Sequence, residues 1–346
     1  MKAKSKIRVG MLGVGRAGGG MQCNELEKRQ DKFEVSALCD ISESQMEPYS
    51  KKFSCKTYTD MQKLLADKDI DIISITTRSN DHVKHAIMAL KTGKHVFLEK
   101  PIALTYADAL KLQKAAAKAK GKLFLRHNRR FEPAFQHIME IIKEGILGKV
   151  YEVKLRRLGY SRRCDWQTLR EFGGGQLNNW GPHLLDHSLS FLGSPVSEIW
   201  SDIRQVASAG DAEDHLKIVL KGKSGIIVDL EISGGAAISE PQYIIFGTKG
   251  ALTCDEKNIT LRYLDPKVKL KPVKADRKTP NGFGSGEQLP WIEKTIPVAP
   301  ALKVDMDSIW DYIYDTLVNK KRFPITLERG VEIVRICEIV RKNARK

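Results

Sequence analysis

The chain has 346 residues, with 58 lysines and arginines against 42 acidic residues and a formal net charge of +16. This length suffices for two domains, and 42% hydrophobic with 29% charged residues is typical of a globular protein. The basic residues are scattered and accompany no nucleic-acid motif, so we expect a solvated basic surface and no nucleic-acid partner. No apolar run approaches the length of a membrane span, which predicts no membrane segment. Six cysteines without a CxxC pair predict reduced thiols and a cytoplasmic location.

A glycine-rich turn follows the first apolar run, Ile7 to Leu12, and precedes a segment that we expect to be helical from Ala17 to Lys28. The turn reads Gly13-Val14-Gly15-Arg16-Ala17-Gly18. In this pattern the first glycine permits a sharp turn, the second lets the backbone approach a pyrophosphate, and the third lets the helix pack against the strand. The helix N-terminus offers free N–H groups to phosphates. The turn therefore predicts a dinucleotide site.

An acidic residue follows the second apolar run, Phe33 to Cys39, about 20 positions beyond the last glycine of the turn. At that place Asp40 would accept hydrogen bonds from the ribose diol and repel a 2′-phosphate. We therefore expect NAD, with NADP disfavoured. The alternative is an ordinary strand–turn–helix in which Asp40 caps the next turn.

Short apolar runs alternate with helical patterns up to about residue 125. The predicted elements are strands at 70–76, 95–98 and 123–125, and helices at 81–92 and 106–120. This alternation predicts a parallel sheet covered on both faces, with ligands at the carboxyl ends of its strands. The loops that this rule selects are 13–18, 40–44, 76–82, 99–101 and 126–130.

The pattern changes after about residue 126. The predicted elements are a helix at 133–144, strands at 150–158, 215–220, 226–232, 243–246, 251–254 and 259–263, a long surface loop at 265–300, and helices at 304–318 and 327–343. We therefore predict an α/β protein: a Rossmann doubly wound parallel sheet in residues 1–126, and an α+β domain with an open, mostly antiparallel sheet in residues 127–346. The last helix could pack back on the first domain.

Glu99-Lys100-Pro101 follows a buried strand at the carboxyl edge of the predicted sheet. Lys100 could donate to a substrate oxygen, or lose its proton if it is desolvated beside a cationic nicotinamide ring. A surface lysine after a strand explains the same position equally well.

A second candidate segment begins with three glycines, Gly173 to Gly175. If the residues after it are helical, Asn179, His183 and His187 are spaced by four and share one face. Pro182 would kink that helix or lie in its first turn. A histidine in such a place is more often part of the core. Two histidines and an asparagine without carboxylates make a poor metal site, so we expect no metal.

The loop from Tyr160 to Trp166 is expected to face the substrate. Trp166 offers a flat platform for a sugar ring, and Arg163 and Asp165 offer directional hydrogen bonds. The alternative is a mobile surface loop with one buried tryptophan.

In combination, these motifs resemble the Gfo/Idh/MocA oxidoreductases, the relatives of glucose–fructose oxidoreductase and inositol dehydrogenase. The resemblance runs through nearly the whole chain. It is carried by the glycine turn and by the stretches 91–101, 128–131, 173–183 and 247–250. It implies a Rossmann domain that holds NAD(P), a second domain that covers the active site, and proton transfer by Lys100 and His183.

The resemblance also implies the remaining site residues. The expected cofactor-binding residues are Gly13, Gly15, Arg16, Ala17, Gly18, Asp40, Thr76, Asn80, His82, Glu99, Lys100 and Asn128. The expected substrate-binding residues are Lys100, Arg129, Tyr160, Arg163, Asp165, Trp166, Asn179 and His183. Asn179 stands where the family usually has an aspartate, and an amide cannot accept a proton. Lys100 therefore becomes the better candidate for the general base; alternatively, Asn179 binds the sugar and His183 acts without a carboxylate.

The sequence thus predicts an NAD(P)-dependent dehydrogenase that transfers hydride between nicotinamide and a secondary hydroxyl or keto group of a sugar, polyol or glycoside. Three alternatives stay open. They are a glycosidase assisted by transient NAD oxidation, a catalytically silent NAD-binding regulatory protein, and a basic protein associated with nucleic acid. Relatives often pair through the second sheet, so the resemblance implies a homodimer or homotetramer.

Overall fold

Two β-sheets, each with its own apolar core, organise the computed structural model, which describes residues 6–275, 277 and 287–344. The first sheet contains β1 (Ile7–Leu12), β2 (Phe33–Cys39), β3 (Lys56–Tyr58), β4 (Ile72–Ile75), β5 (His95–Leu98) and β6 (Leu123–Leu125). These strands are all parallel and lie in the order β3-β2-β1-β4-β5-β6. All four residues of β4 are buried, because both faces of the sheet are covered. The predicted parallel sheet is confirmed.

The helices that connect these strands are α1 (Asn24–Glu27), α2 (Glu43–Phe53), α3 (Met61–Ala66), α4 (His82–Lys91) and α5 (Tyr106–Lys118). The segment predicted to be helical from Ala17 to Lys28 is helical, with a π-helix over Gly18–Cys23 followed by α1. The amides of Gly20 and Gln22 donate to carbonyls five residues back, at 3.3 and 3.0 Å. Three successive glycines have low α-helical propensity, and a Cβ on Gly19 would lie 2.4 Å from the Tyr49 ring. Close packing thus favours the wider turn.

The second half contains α6 (Pro133–Glu144), β7 (Val150–Leu158), α7 (Gln176–Asn179), α8 (Gly181–Leu192), β8 (Val196–Arg204), β9 (His215–Gly222), β10 (Ile227–Ser233), β11 (Tyr243–Gly247), β12 (Gly250–Cys254), β13 (Asn258–Leu264) and β14 (Trp291–Pro297). Its strands lie in the order β14-β13-β12-β11-β7-β10-β9-β8. Only the pair of β7 and β10 is parallel among the strand pairs of this described sheet. The mostly antiparallel sheet is therefore also confirmed.

The sequence did not predict two strands of this sheet, β8 and β14. The segment 265–300 was predicted as a loop but contains β14, which pairs with β13 so that Ile292 opposes Tyr263. Residues 276 and 278–286 of that segment lie outside the described part. β8 was not predicted at all. Both are edge strands of the sheet, and most of their residues are exposed or half-buried. An edge strand buries little apolar surface, so its sequence carries a weak alternating pattern.

The end of the chain returns to the first sheet. Two helices, α9 (Ile309–Val318) and α10 (Leu327–Asn343), follow β14. Trp310 of α9 is fully buried in the first core, where its ring meets Phe33 and Phe97 edge-on at 5.3 and 4.8 Å. α10 contributes Val334 to the first core and Val340 to the second. The division at residues 126 and 127 stays a prediction, and the packing adds that α9 completes the N-terminal core.

The six cysteines are free thiols, and among them only Cys164 is exposed. No helix in the described ranges is both long and apolar enough to cross a membrane.

Candidate functional site

The glycine turn lies at the carboxyl end of β1, and its three glycines are required for different reasons. Gly13 has a φ of +90°, and a Cβ on it would lie 2.9 Å from the Thr76 backbone. A Cβ on Gly18 would lie 2.1 Å from the Gly13 carbonyl oxygen. A Cβ on Gly15 would meet no atom within 4 Å. Gly13 and Gly18 therefore serve the packing of the chain itself, whereas Gly15 leaves an open cradle that a pyrophosphate would fit.

The side chains around this turn hold it in place. Thr76 donates its hydroxyl to the Gly13 carbonyl at 2.5 Å. The Asp40 carboxylate accepts the amides of Val14 at 2.7 Å and of Ser42 at 3.0 Å. Asp40 is only half-buried, so its oxygens keep lone pairs for a ribose diol. The acidic residue thus lies beside the glycine turn, as the NAD hypothesis requires.

Other residues expected to bind the cofactor occupy the same edge of the sheet. Arg16 and Asn80 are exposed, Ala17 is half-buried and Asn128 is buried. His82 is buried, with Nδ1 2.7 Å from the Pro101 carbonyl oxygen and Nε2 3.0 Å from that of Thr77. Burial lowers the pKa of His82. Because both nitrogens face backbone carbonyls, His82 braces two loops of the site, and its expected contact with the cofactor stays a prediction.

Lys100 joins the two stretches that the sequence indicated. It follows β5, and its peptide bond to Pro101 is cis. Its Nζ donates to the backbone oxygen of Asn179 at 3.0 Å and to the Asn179 side-chain oxygen at 3.1 Å. Burial lowers the pKa of Lys100, and the nearby Arg16, Arg126 and Arg129 lower it further while Glu99 opposes them. The lysine is therefore held where its amine form is favoured relative to a solvated lysine.

The helix that would carry Asn179, His183 and His187 on one face is broken at Trp180 into α7 and α8. Pro182 lies in the first turn of α8, where a missing amide costs nothing. His183 is buried, and its Nδ1 has no hydrogen-bond partner in the described part of the chain. Burial, then Lys100 and Arg129, hold the pKa of His183 well below its usual value. His187 instead stacks on the Phe135 ring at 4.0 Å and is a core residue.

A buried ion cluster that the sequence did not predict lies beneath Lys100. Arg126 donates to both carboxylate oxygens of Glu25, at 2.9 and 2.6 Å, and its Nε lies 2.8 Å from Glu99. Trp310 donates its indole N–H to Glu25 at 2.8 Å. The other oxygen of Glu99 accepts the Lys100 amide at 3.1 Å. The sequence singled out Glu99 but not Glu25 or Arg126, because the ion pairs join segments that are remote in the chain.

A second cluster that the sequence did not predict surrounds Trp180, the residue after Asn179. The guanidinium carbons of Arg129 and Arg157 lie 4.2 and 4.1 Å from the centre of its ring. Both guanidinium groups thus lie against the same tryptophan ring. Arg129 also pairs with Glu132 at 3.2 Å. The mouth of the site beside Lys100 is therefore rich in cations.

In the loop expected to face the substrate, the charged side chains bind each other, and the backbone binds residues 209, 234 and 235. Arg163 pairs with Asp165 through two N–H groups at 2.9 Å, and it donates to Gln167 at 2.8 Å. Tyr160 is exposed, and Trp166 is 38% exposed rather than buried. The substrate contacts of these residues stay predictions. Within the described ranges, no group of three histidine, cysteine or acidic residues is placed to hold a metal ion.

Two family models match the chain. The model of the oxidoreductase family GFO_IDH_MocA, with an NAD-binding Rossmann fold, matches residues 7–127. The model of the GFO/IDH/MocA C-terminal domain matches residues 135–253. The two matches adjoin the predicted division of the chain and together span most of its length.

Curated relatives of this family are similar over much of their length. The chain is 28% identical to the myo-inositol 2-dehydrogenase of Thermotoga maritima over 72% of this chain and 75% of that protein. It is 24% identical to the NADP-dependent scyllo-inositol 2-dehydrogenase of Bacillus subtilis over 98% of this chain and 94% of that protein. It is 32% identical to the D-glucoside 3-dehydrogenase of Escherichia coli over 56% of each.

Solved structures share the fold. An NAD-binding protein from Listeria innocua has a TM-score of 0.83 at 24% identity, covering 99% of this chain and 95% of its own. The WlbA dehydrogenase of Bordetella pertussis, solved with NADH and UDP-GlcNAcA, has a TM-score of 0.78 at 19% identity. The match covers 100% of this chain and 97% of that protein. The family models and the curated relatives identify the chain as a member of the Gfo/Idh/MocA family of NAD(P)-dependent oxidoreductases that act on CH–OH groups.

Proposed function

We propose that this protein is an NAD-dependent dehydrogenase that oxidises a secondary alcohol of a sugar, polyol or glycoside, or reduces the matching ketone, with Lys100 as the general base. One observation carries the proposal: the Lys100 amine is bound by both oxygens of Asn179 at the edge of the sheet where the glycine turn lies. The names of the inositol and glucoside dehydrogenases among the relatives support the substrate class.

The hydrogen bonds of Lys100 suit a base. A neutral amine has two N–H bonds, and Asn179 offers two oxygens to accept them. The nitrogen lone pair is then free to take the proton of a substrate hydroxyl. An aspartate at position 179 would stabilise the ammonium form by its charge, whereas an amide does not. The departure from the family pattern thus favours a deprotonated lysine.

His183 supports the same reaction without carrying charge. Its ring is buried and its pKa is lowered, so the imidazole is neutral at physiological pH. A neutral ring donates one hydrogen bond and accepts another. In this role His183 orients the substrate oxygen toward Lys100, whose general base catalysis is worth about 10²–10⁴ in rate.

The residues that would hold the cofactor are those of the glycine turn, with Arg16 near the phosphates and Asp40 at the adenosine ribose. The nicotinamide, when bound, supplies the acceptor or donor of hydride. The half-buried Asp40 carboxylate supports NAD over NADP, because it accepts hydrogen bonds from a diol and repels a 2′-phosphate.

The test measures NADH at 340 nm over a panel of polyols, aldoses and glycosides. For the best substrate, Lys100→Met should lower kcat by at least about 100-fold and leave NADH binding, followed by fluorescence titration, unchanged. Lys114→Met, an exposed lysine on α5, is the matched control and should be fully active. A Lys100→Met enzyme with normal kcat would remove the lysine from the mechanism. Release of an aglycone without net NADH would favour the glycosidase alternative.

A second variant tests the protonation state. Asn179→Asp places a carboxylate against the Lys100 amine, so the pKa of Lys100 should rise toward its usual value. The pH profile of kcat for alcohol oxidation should then shift to higher pH. A profile that does not move would show that the group titrating in the wild type is not Lys100.

A further inference from the structure

We propose that the substrate carries an anionic group, a carboxylate or a phosphate, and that Arg157 with Arg129 recognises it at the rim of the site. The inference rests on the proposed function and narrows its substrate class. Its basis is the pair of guanidinium groups that lie 4.2 and 4.1 Å from the centre of the Trp180 ring, one residue from the amide that binds Lys100. Arg157 was not among the residues that the sequence indicated.

The two arginines come from separate elements that converge on one ring. Arg129 lies in the 3-10 turn Asn128–Phe131 after β6, and Arg157 lies near the end of β7. Trp180 lies between α7 and α8, so its position is fixed by both helices. A guanidinium stacked on an aromatic face keeps its N–H groups free at the edge of the ring plane. Stacking thus orders both cations without using their hydrogen-bond donors.

The charges around the cluster are only partly balanced. Arg129 has Glu132 at 3.2 Å. Among the residues that the structure describes, Glu256 has the carboxylate that pairs with Arg157. It lies 3.8 Å away and its side chain is 73% exposed, so it screens Arg157 weakly. Lys100 and Arg129 are the side chains whose charge acts most strongly on His183, and both are basic. Glu99 is engaged by Arg126 beneath the site. An anionic substrate would supply the missing negative charge.

Neither the cofactor nor the packing of the chain accounts for both arginines. The phosphates of a dinucleotide belong at the glycine turn, which follows β1, whereas Arg157 lies in β7 of the second sheet. One stacked arginine would suffice to bury a face of Trp180. The Arg157 side chain is 41% exposed, so it contributes little apolar packing and retains donors for a ligand. Arginine forks bind carboxylates and phosphates in two-pronged fashion.

The experiment compares matched substrates that differ in charge: glucose, glucuronate and glucose 6-phosphate, and likewise myo-inositol and its monophosphate. An added charge-assisted contact should raise kcat/KM of the acidic member about 10- to 100-fold over the neutral one. The acidic compound whose kcat/KM rises, the carboxylate or the phosphate, identifies which anionic group the site recognises. Isothermal titration of each compound, and of inorganic phosphate alone, into the NADH-loaded protein gives affinities that do not depend on turnover.

Arg157→Gln should abolish this preference by raising KM and Kd of the acidic compounds to the values of the neutral ones. Arg157→Lys should keep part of the preference, because it keeps the charge but loses the fork. Arg204→Gln is the control, since Arg204 is an exposed arginine on the edge strand β8 that pairs with Asp202. Equal melting temperatures of the variants show that folding is intact.

The outcomes separate this inference from the proposed function. NADH formation with equal or better kcat/KM for neutral compounds overturns the inference and leaves the dehydrogenase in place. An anion preference that survives in Arg157→Gln also overturns it. If no compound yields NADH, the proposed function fails, and the titrations alone then decide the inference. Tight binding of acidic compounds that is lost in Arg157→Gln supports the inference. Equal binding of neutral and acidic compounds refutes the inference.

Discussion

Replacing Arg126 by methionine would leave the carboxylates of Glu25 and Glu99 buried without their cation. The arginine side chain is 2% exposed, those of Glu25 and Glu99 are 7% and 9% exposed, and the three contacts of the guanidinium are 2.6 to 2.9 Å long. Removing one partner of a buried ion pair costs about 3–5 kcal/mol, because the remaining charge is uncompensated. We therefore expect Arg126→Met to lower the free energy of unfolding by about 4 kcal/mol.

Urea unfolding of a double-mutant cycle measures this directly. Glu25→Gln removes one carboxylate but keeps an oxygen that can accept the Trp310 N–H. The double variant Arg126→Met/Glu25→Gln should then cost less than the sum of the single variants by about 1 kcal/mol or more, as expected for groups in one network. Lys51→Met, which removes an exposed pair with Glu47, is the control and should cost at most about 1 kcal/mol.

The same cycle has a catalytic readout. The Lys100 amide donates to Glu99, which Arg126 holds, so kcat should fall with stability in Arg126→Met and recover partly in the double variant. The reasoning is refuted if Arg126→Met costs less than about 1 kcal/mol, the value of an exposed pair, or if the two single costs simply add. Either result would mean that the cluster is not a coupled buried network.

Three further predictions concern the cofactor cradle and the buried histidine. Gly15→Ala should fold with normal stability and bind NADH at least about 10-fold more weakly, since its methyl group would occupy only the space of the ligand. Gly18→Ala should unfold at a lower urea concentration, because a Cβ there collides with the Gly13 carbonyl. An unchanged NADH affinity in Gly15→Ala would contradict the assignment of the cradle. Asp40→Ala should raise the ratio of NADP to NAD in kcat/KM, and an unchanged ratio would show that the carboxylate does not select the cofactor. Burial lowers the pKa of His127 to about 4, and both ring nitrogens are enclosed without partners among the described residues. The folded state therefore favours the neutral ring: its stabilisation is complete above the unfolded pKa of about 6.5 and is lost as the pH falls toward 4. Between pH 8 and pH 5 the wild type should lose about 2 kcal/mol more than His127→Leu in urea unfolding, and parallel losses would refute the assignment.

The parts of the fold that bury continuous apolar surface could be predicted from the sequence. β1, β2, β5 and β6 begin and end where the apolar runs do, and α6 begins at a proline and ends before Gly145, whose φ of +75° suits a helix terminus. The edge strands β8 and β14 could not be predicted, because each pairs with one strand and its residues are exposed or half-buried. The π-helix could not be predicted either, since it depends on the approach of Tyr49 from α2.

The site divides in the same way. Local motifs pointed separately to Lys100 and to Asn179, but only the folded chain shows that their side chains are hydrogen-bonded across the two halves. Arg157 has no motif, because its significance arises from a tryptophan on a different element. Short-range patterns reveal turns and strand ends, whereas a contact between remote segments leaves no mark in a single sequence.

The insertion of Trp310 into the N-terminal core has a consequence for biosynthesis. The nucleotide-binding half lacks this side chain until the ribosome has synthesised the whole second sheet and residue 310 beyond it. Until then Phe33 and Phe97 lack the ring that covers their edges, and Glu25 lacks its indole donor. A nascent chain that has completed only its first sheet therefore exposes apolar surface and binds its cofactor weakly. Cofactor affinity should consequently mark finished molecules, and truncated products should be recognised by the exposed apolar surface that chaperones bind.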